Sequence, residues 1–243
     1  MSNIQSLLAE WAKSITQAFS PRMYCLICHV KTQQVVCEAC LQHLTTLGHK
    51  CTTCARPLSI PTDTICGHCI KHKPALDGTL TVYAYTAPLR FLIHEFKYRE
   101  GYFLTKTLTQ MLLDALPKDY MTDCIVPVPM HTQRLRERGF DHTLWLARAV
   151  SRHVPFHIET TICKKNNHTT NSAQLNAEQR KKNTQDAYQV KTSHYQHVTL
   201  LDDLTTTGET ANTLARLLKK NGVQTVILWC CARALMDRTS LPK

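Results

Sequence analysis

The sequence of 243 residues lacks several features that would place it in a well-known class. It has no run approaching the roughly 20 apolar residues that a transmembrane helix needs. Glu10 and Lys13 interrupt the apolar residues near the N-terminus, which therefore does not resemble a signal peptide. The seven glycines form no dinucleotide-binding, P-loop or G-x-S-x-G motif. We therefore expect a cytoplasmic protein without a transmembrane segment that is not a P-loop motor, a Rossmann-type dehydrogenase or a serine hydrolase.

Acidic residues are also scarce relative to basic ones. The chain has 29 Lys and Arg against 18 Asp and Glu, a formal net charge of +11. Such a surplus favours phosphate-bearing partners, namely nucleic acids, nucleotides or membrane surfaces. The charge alone does not choose among them. Hydrophobic residues make up 43% of the sequence, which is enough to build a packed core.

Cysteine is abundant but unevenly distributed. Eight of the twelve cysteines lie between positions 25 and 69, in four C-x2-C pairs. Two such pairs supply the four sulfur ligands of a tetrahedral Zn²⁺, so the segment predicts two closed, structural zinc sites. Sequential pairing of the knuckles is preferred over a cross-braced arrangement, because each half then closes a short loop. The expected ligands are Cys25, Cys28, Cys37, Cys40, Cys51, Cys54, Cys66 and Cys69.

The pattern of apolar residues divides the chain into three parts. Residues 1–22 predict an amphipathic helix, which could dock on the rest of the protein, on a partner or on a membrane surface. Residues 23–78 form the predicted zinc-binding, zinc-ribbon-like domain. Residues 79–243 alternate short apolar strands with helices, which predicts an α/β domain with a mostly parallel sheet. Ligands of such sheets bind at the carboxyl ends of the strands.

One segment of the α/β part carries a recognisable chemistry. The apolar strand 198–201 ends in Asp202 and Asp203, and small hydroxylated residues then lead into a helix that begins near Glu209. The free N–H groups at a helix start bind anions, and carboxylates accept bonds from hydroxyl groups or bind Mg²⁺. A sugar phosphate satisfies both. The residues expected to surround it are Asp202, Asp203, Thr205, Thr206, Thr207, Gly208, Glu209 and Thr210.

The segment Asp202–Thr210 resembles the phosphoribosyl-pyrophosphate (PRPP) signature of type I phosphoribosyltransferases. Together with the cysteine pairs, other segments resemble one branch of that superfamily, the ComF competence proteins. These segments are Phe96-Lys97-Tyr98, Val126-Pro127-Val128-Pro129, Arg134-Leu135, Arg138-Gly139-Phe140, and Gln174 with Arg180 and Asn183. The chain departs from the branch at Asp141-His142, where Asn-Gln is usual, and at Lys164 and Asn171.

The resemblance implies a phosphoribosyltransferase-type sheet with a PRPP pocket. Asp202 and Asp203 would be catalytic, while Lys97 and the residues of 205–210 would bind PRPP together with Mg²⁺. ComF-like proteins act in DNA uptake during natural transformation, bind single-stranded DNA and work beside a helicase-like ATPase. The resemblance therefore implies the same partners here.

Two groups of basic residues are candidates for contacts with nucleic acid. One follows the strand at Val126–Pro129, and the other lies in a polar stretch further along the chain. Either group could instead be a solvated face, and the polar stretch could close over a pyrophosphate. The residues expected to bind nucleic acid are Arg134, Arg136, Arg138, Lys164, Lys165 and Arg180.

The sequence leaves two functions open. The preferred one is an accessory factor for DNA uptake that binds single-stranded DNA and carries a ribose-phosphate pocket. The alternative is an active phosphoribosyltransferase that uses PRPP with an unknown acceptor. A purely structural zinc adaptor is disfavoured, because it leaves the segment 202–210 unexplained.

Overall fold

The computed structural model describes residues 23–99, 101–165 and 187–235. The chain divides after His43 into two compact units. The predicted N-terminal helix lies outside the described residues, so it stays a prediction. Whether 23–78 is a domain separate from 79–243 also stays a prediction. Within the described ranges, no helix has both the length and the apolar character needed to cross a membrane.

The first unit is a small cysteine-bearing fold. Strand β1 (Met23–Tyr24) pairs antiparallel with β2 (Lys31–Thr32), and helix α1 (Glu38–Gln42) follows. The turn between the strands includes His29, whose positive φ of 59° lets the chain reverse after the first cysteine pair. Helix α1 begins directly after Cys37, whose backbone is extended. The turn and the start of the helix therefore present the two cysteine pairs.

The second unit begins with a similar arrangement. Ala55 follows a C-x2-C pair with a φ of 56°, and helix α2 (Gly67–His72) begins directly after Cys66. This segment is bonded to the edge strand β3 (Gly78–Leu80). The N–H of Thr79 donates to the carbonyl of Thr52 at 3.0 Å, and its hydroxyl donates to that of Thr53 at 2.7 Å. The second cysteine segment is thus anchored to the sheet.

The centre of the second unit is a parallel sheet of six strands. Its order is β3-β10-β9-β5-β6, and β4 pairs with β10 beyond the end of β3. All of these pairings are parallel. A separate antiparallel ribbon consists of β7 and β8. The predicted mostly parallel α/β architecture is therefore confirmed. The remaining strands are β4 (Tyr83–Ala84), β5 (Cys124–Pro127), β6 (His157–Ile158), β7 (Cys163–Lys165), β8 (Tyr188–Val190), β9 (His197–Thr205) and β10 (Thr225–Arg233).

Helices cover both faces of the sheet. On one face, Leu214 and Leu218 of the helix after β9 join a buried cluster with Val198, Leu200 and Leu228. On the other, the indole N–H of Trp229 donates to the carbonyl of Leu112 at 2.8 Å. Strands buried on both sides need apolar residues throughout, as β9 and β10 largely have. The helices of this unit after α2 are α3 (Leu89–Tyr98), α4 (Thr105–Asp114), α5 (Thr132–Arg138), α6 (His142–Val150) and α7 (Glu209–Lys220).

Strand β9 is longer than the sequence pattern indicates. The predicted strand ended at Asp202-Asp203, but β9 continues to Thr205 because β10 pairs with it as far as Arg233. Asp202 and Asp203 therefore lie inside the strand, and the following loop begins at Thr206. This extension fixes both carboxylates on the rigid sheet.

Gly101 occupies a position with no room for a side chain. A Cβ there would lie 2.5 Å from the Cα of Phe96 and 2.6 Å from the carbonyl oxygen of Glu95. We expect Gly101→Ala to lower the free energy of unfolding by about 1–3 kcal/mol, because the backbone must shift. Urea denaturation measures this. Gly67→Ala is the control, since a Cβ at Gly67 meets nothing within 4 Å; equal effects of the two changes would contradict the close packing at Gly101.

Candidate functional site

A cleft lies between β5 and β9, from which the chain continues in opposite directions along the sheet. After β5 the chain leads to β6 at the sheet edge, whereas after β9 it leads to β10 on the other side. A crevice forms at such a switch point, beyond the carboxyl ends of the strands. It has a volume of about 210 Å³. Its lining is Lys97, Val128, Pro129, Met130, His131, Arg134, Arg138, His142, Thr143, Lys165, Tyr188, Asp202, Asp203, Leu204, Thr206 and Thr210.

Asp203 is the most strongly held charged group in this cleft. Its carboxylate is buried, and one oxygen lies 2.6 Å from the Nζ of Lys97. The other oxygen lies 3.3 Å from the Nε2 of His142. Burial alone would raise the pKa of Asp203, but Lys97 and His142 outweigh it and hold the pKa well below its usual range. Asp203 is therefore ionised at neutral pH.

Asp202 has the opposite electrostatic environment. It is half-buried, and one of its carboxylate oxygens accepts a hydrogen bond from the backbone N–H of Asp203 at 2.8 Å. Burial and the neighbouring charge of Asp203 together raise the pKa of Asp202 well above its usual value. The pKa values of the two adjacent carboxyl groups are thus shifted in opposite directions. Because Lys97 and His142 contact both oxygens of Asp203, Asp202 is the aspartate that can hydrogen-bond to a ligand in the cleft.

Arg138 extends the charged network to the rim of the cleft. Its guanidinium lies 3.2 Å from the Nδ1 of His142 and donates to the hydroxyl of Tyr98 at 3.0 Å. The same guanidinium lies 4.7 Å from the centre of the Tyr98 ring, within cation–π distance. Helices α3 and α6 thereby bring Lys97 and His142 to the carboxylate of Asp203, and α5 brings Arg138 to His142.

The loop after β9 forms the other side of the cleft. Gly208 has a φ of 82° and caps helix α7, and a hydroxyl oxygen of Thr207 accepts from the N–H of Glu209 at 3.3 Å. Of the predicted loop residues, Thr206 and Thr210 line the cleft. Thr205 is the buried last residue of β9, while Thr207, Gly208 and Glu209 are not among the lining residues. The helix start that faces the cleft is an anion-binding element.

The residues predicted to bind nucleic acid do not all lie in one place. Arg134, Arg138 and Lys165 line the same cleft as the two aspartates, and Lys97 lies beside them. Lys164 lines an adjoining cleft of about 310 Å³, which shares Lys165 with the first. Arg136 is exposed on α5 and lines neither cleft. Arg180 lies outside the described residues.

His142 is the site residue that the sequence pattern did not reveal. In the sequence it is part of the Asp141-His142 departure from the ComF pattern. In the structure it is buried at the start of α6 and contacts both Asp203 and Arg138. A histidine four residues after an arginine was the available signal, but its partner Asp203 is distant in sequence.

The eight clustered cysteines form two groups of four. They are Cys25, Cys28, Cys37, Cys40 and Cys51, Cys54, Cys66, Cys69, with all sulfur atoms of a group within 4.8 Å of one another. This is the sequential pairing. In each group the second and third sulfurs lie 3.6 Å apart, close to the roughly 3.8 Å edge of a tetrahedron with Zn–S bonds of about 2.3 Å.

The electrostatics of these groups also suits a metal. Burial raises the pKa of Cys25, but backbone N–H groups of Cys28, Cys37 and Ile27 outweigh it and lower the pKa to about 6. The pKa of Cys51 falls to about 7 for the same reason. Since the thiolate is the ligand form, backbone bonds of this kind prepare Cys25 and Cys51 for binding. Burial instead raises the pKa of Cys40 to about 12 and those of Cys54 and Cys69 above the usual value. Both clusters can hold a metal ion such as zinc, and their residues fit it.

The aspartates do not build a comparable site for Mg²⁺. Oxygen or nitrogen atoms of His142, Asp202 and Asp203 lie within 4.8 Å of one another. However, both oxygens of Asp203 are already engaged, by Lys97 and by His142. The ammonium of Lys97 supplies the positive charge beside this carboxylate, so the protein residues do not fit a resident Mg²⁺. An ion that arrives with PRPP stays a prediction.

Comparison with known proteins places the chain in a family. Competence protein F of Haemophilus influenzae is 32% identical over 179 residues, which cover 70% of this chain and 78% of that protein. The chain belongs to the competence protein F family. DNA utilization protein YhgH of Escherichia coli K12 is 29% identical over 82% of this chain and 91% of its own length. Competence protein ComFC of Bacillus subtilis is 26% identical over 79% of this chain and 81% of its own length.

Family models and solved structures add little to the assignment of this chain to the competence protein F family. No family model matches the chain. A solved structure described as the analysis of an invariant aspartic acid in HPRTs, an asparagine mutant, has a TM-score of 0.31 and 13% identity. It covers 58% of this chain and 76% of the other. A likeness at this level carries no argument.

Proposed function

We propose that this protein is an accessory factor in DNA uptake, which binds single-stranded DNA and holds a ribose-phosphate unit in the cleft between β5 and β9. The names of its relatives, competence proteins and DNA utilization proteins, support the DNA part of this proposal. The net charge of +11 supports a polyanionic partner. A helicase-like ATPase partner and a cytoplasmic location belong to the same proposal and rest on the family resemblance.

The observation that carries the proposal is the combination of groups in one cleft. Arg134, Arg138 and Lys165 line the same space as Asp202 and the start of helix α7. The cations and the helix start bind phosphate groups, while a protonated or ionised carboxyl group bonds to sugar hydroxyls. Phosphate and sugar alternate along a nucleic-acid strand. A ribose 5-phosphate ligand presents the same two features in one small molecule.

An aromatic surface beside the cleft supports binding of single strands. The rings of Tyr102 and Trp145 lie 6.5 Å apart, and those of Trp145 and Phe140 lie 6.4 Å apart. Tyr102 and Trp145 are exposed, as is Tyr98 next to Arg138. Unpaired bases stack on exposed aromatic rings with little regard to sequence, while cations nearby hold the backbone. A duplex would not present its base faces to these rings.

The salt dependence of DNA binding tests this proposal. We expect the double change Arg134→Ala and Arg138→Ala to weaken binding of a single-stranded oligonucleotide. The slope of log affinity against log salt should fall by about 0.7 for each lost phosphate contact. Fluorescence anisotropy over a salt series measures both quantities.

The matched control removes the same charge elsewhere. Arg90 and Arg152 are exposed and do not line the cleft. Arg90→Ala with Arg152→Ala should leave the slope near the wild-type value. Equal losses in the two double variants would mean that only net charge matters, which would contradict a specific role of the cleft.

The alternative is an active phosphoribosyltransferase. It is favoured by one observation, namely that Asp202, Asp203, Thr206 and Thr210 face the same cleft. PRPP-dependent release of pyrophosphate in the presence of a defined acceptor would establish it. Binding of PRPP without such release over a panel of acceptors would favour the accessory factor.

A further inference from the structure

Arg233 is a buried arginine at the end of β10, outside the residues assigned to the cleft. Only 2% of its surface is exposed. Its backbone pairs with Thr205 of β9 on one side and with Ala84 of β4 on the other. Arg233 therefore lies between the strand that leads into the phosphate loop, defined as Thr206–Thr210, and the edge that carries the second cysteine cluster.

The guanidinium of Arg233 has no carboxylate partner among the residues that the structure describes. Among the described residues, no hydrogen bond or ion pair involves this side chain. The four preceding residues of β10, Trp229–Ala232, are apolar or cysteine and fully buried. A buried cation without a counter-charge is strongly unfavourable. If position 233 only filled the core, it would be expected to hold an apolar residue like those of Trp229–Ala232. The arginine therefore indicates an anion nearby.

One anionic group is the second cysteine cluster, defined as Cys51, Cys54, Cys66 and Cys69. Ala55, the residue after Cys54, packs against Ala84, whose backbone pairs with Arg233. Burial lowers the pKa of Arg233, the sulfurs of Cys54 and Cys69 oppose that shift, and the cation of Arg56 adds to it. Four thiolates around one Zn²⁺ carry a net charge of about −2, which gives the guanidinium a counter-charge when metal is bound.

The other side of the guanidinium faces the phosphate loop. One of its terminal nitrogens, Nη1, lies 3.8 Å from the position that a Cβ on Gly208 would occupy. Gly208 caps helix α7, so the positive charge of Arg233 adds to the anion-binding end of that helix. The arginine thus lies beside the loop at Gly208 and is not among the residues that line the cleft.

We propose that Arg233 is a positioning residue that couples the second cysteine cluster to the phosphate loop, so that metal in the cluster strengthens phosphate binding by the loop. The metal–thiolate anion holds the guanidinium, and the guanidinium supports the loop at Gly208. The inference rests on the proposed function in one respect, which is that the loop receives a phosphate. Coupling between two sites is reciprocal, so bound phosphate must also retain the metal.

The test measures both directions of the coupling on the full-length, zinc-loaded protein. Pyrophosphate affinity is measured by calorimetry, and zinc release is followed with a chelating dye. In the wild type, saturating pyrophosphate should slow the release of one zinc ion per chain severalfold. Arg233→Met should weaken pyrophosphate binding at least tenfold and abolish this slowing. Arg233→Lys should retain part of both effects, because it keeps the charge.

Controls separate the possible failures. Arg90→Met removes an exposed arginine and should behave as the wild type. The wild-type zinc-release measurement needs no variant, so it remains decisive if Arg233→Met does not fold. Pyrophosphate binding without any change in zinc release would overturn the coupling and leave the proposed function standing. Absence of pyrophosphate binding by the wild type would contradict the phosphate loop, and the coupling with it.

Discussion

Asp203→Asn is expected to lower the free energy of unfolding by about 3–5 kcal/mol, whereas Asp202→Asn should change it by less than about 1 kcal/mol. The first change leaves the ammonium of Lys97 in a largely buried place without its partner carboxylate, which lies 2.6 Å away. The second replaces a carboxyl group whose pKa is raised well above the usual value. An amide closely resembles a protonated carboxyl group. Urea denaturation at neutral pH compares the two.

The double change Lys97→Met with Asp203→Asn identifies the source of the loss. Removing both charges takes away the unpaired ammonium, so the double variant should recover much of the stability lost in Asp203→Asn. Additive losses from the two changes would contradict the ion pair. A large loss in Asp202→Asn would contradict the opposite pKa shifts of the two aspartates.

The stabilisation that this ion pair gives to the folded protein depends on pH in a direction set by the pKa of Asp203. Lys97 and His142 hold the pKa of Asp203 below its usual value, so the unfolded chain binds this proton at a higher pH than the folded protein. The stabilisation is therefore complete above about pH 4, the ordinary Asp value, and is lost as the pH falls below it. This part of the acid sensitivity should disappear in Asp203→Asn.

Cys54→Ser is expected to destabilise the parallel sheet, whereas Cys28→Ser should leave its unfolding transition largely unchanged. Both residues are the second cysteine of their cluster. Cys54 belongs to the unit that contains the sheet, where Thr52 and Thr53 accept bonds from Thr79 of β3, while Cys28 belongs to the other unit. Structural zinc contributes about 10–16 kcal/mol of binding free energy in zinc-finger peptides, so losing it should have a large effect.

Elemental analysis and thermal unfolding together measure this difference. The wild type should contain about two zinc ions per chain and each variant about one. Freshly purified wild-type protein without zinc would contradict the metal assignment. Identical unfolding transitions for the two variants would contradict the anchoring of the second cluster to the sheet.

The sequence was sufficient for features that depend on local patterns. The spacing of Leu89, Leu92, Ile93 and Phe96 is typical of a helix with one buried face, and all four side chains are buried on α3. The C-x2-C pairs predicted two four-cysteine clusters because both ligands of a knuckle are neighbours in the chain. Apolar runs such as 198–201 predicted buried parallel strands because such strands need no polar face.

Local sequence patterns could not predict the charge network of the cleft. Lys97, His142 and Asp203 come from α3, α6 and β9, and only the tertiary fold brings them together. The position of Arg134 and Arg138 beside the aspartates has the same origin. In the sequence these arginines form a group apart from the PRPP residues, whereas the structure places both sets in one cleft. Two phosphate-bearing ligands would consequently compete for it.

Competition between the two ligands is the most direct test of this account. A labelled single-stranded oligonucleotide is bound to the protein, and PRPP is added at constant ionic strength while anisotropy is recorded. Calorimetry on the same preparation establishes that PRPP binds. Because Arg134, Arg138 and Lys165 line the same cleft as Asp202 and Asp203, we expect PRPP to displace the oligonucleotide. Oligonucleotide binding that is unchanged at saturating PRPP would contradict a shared cleft.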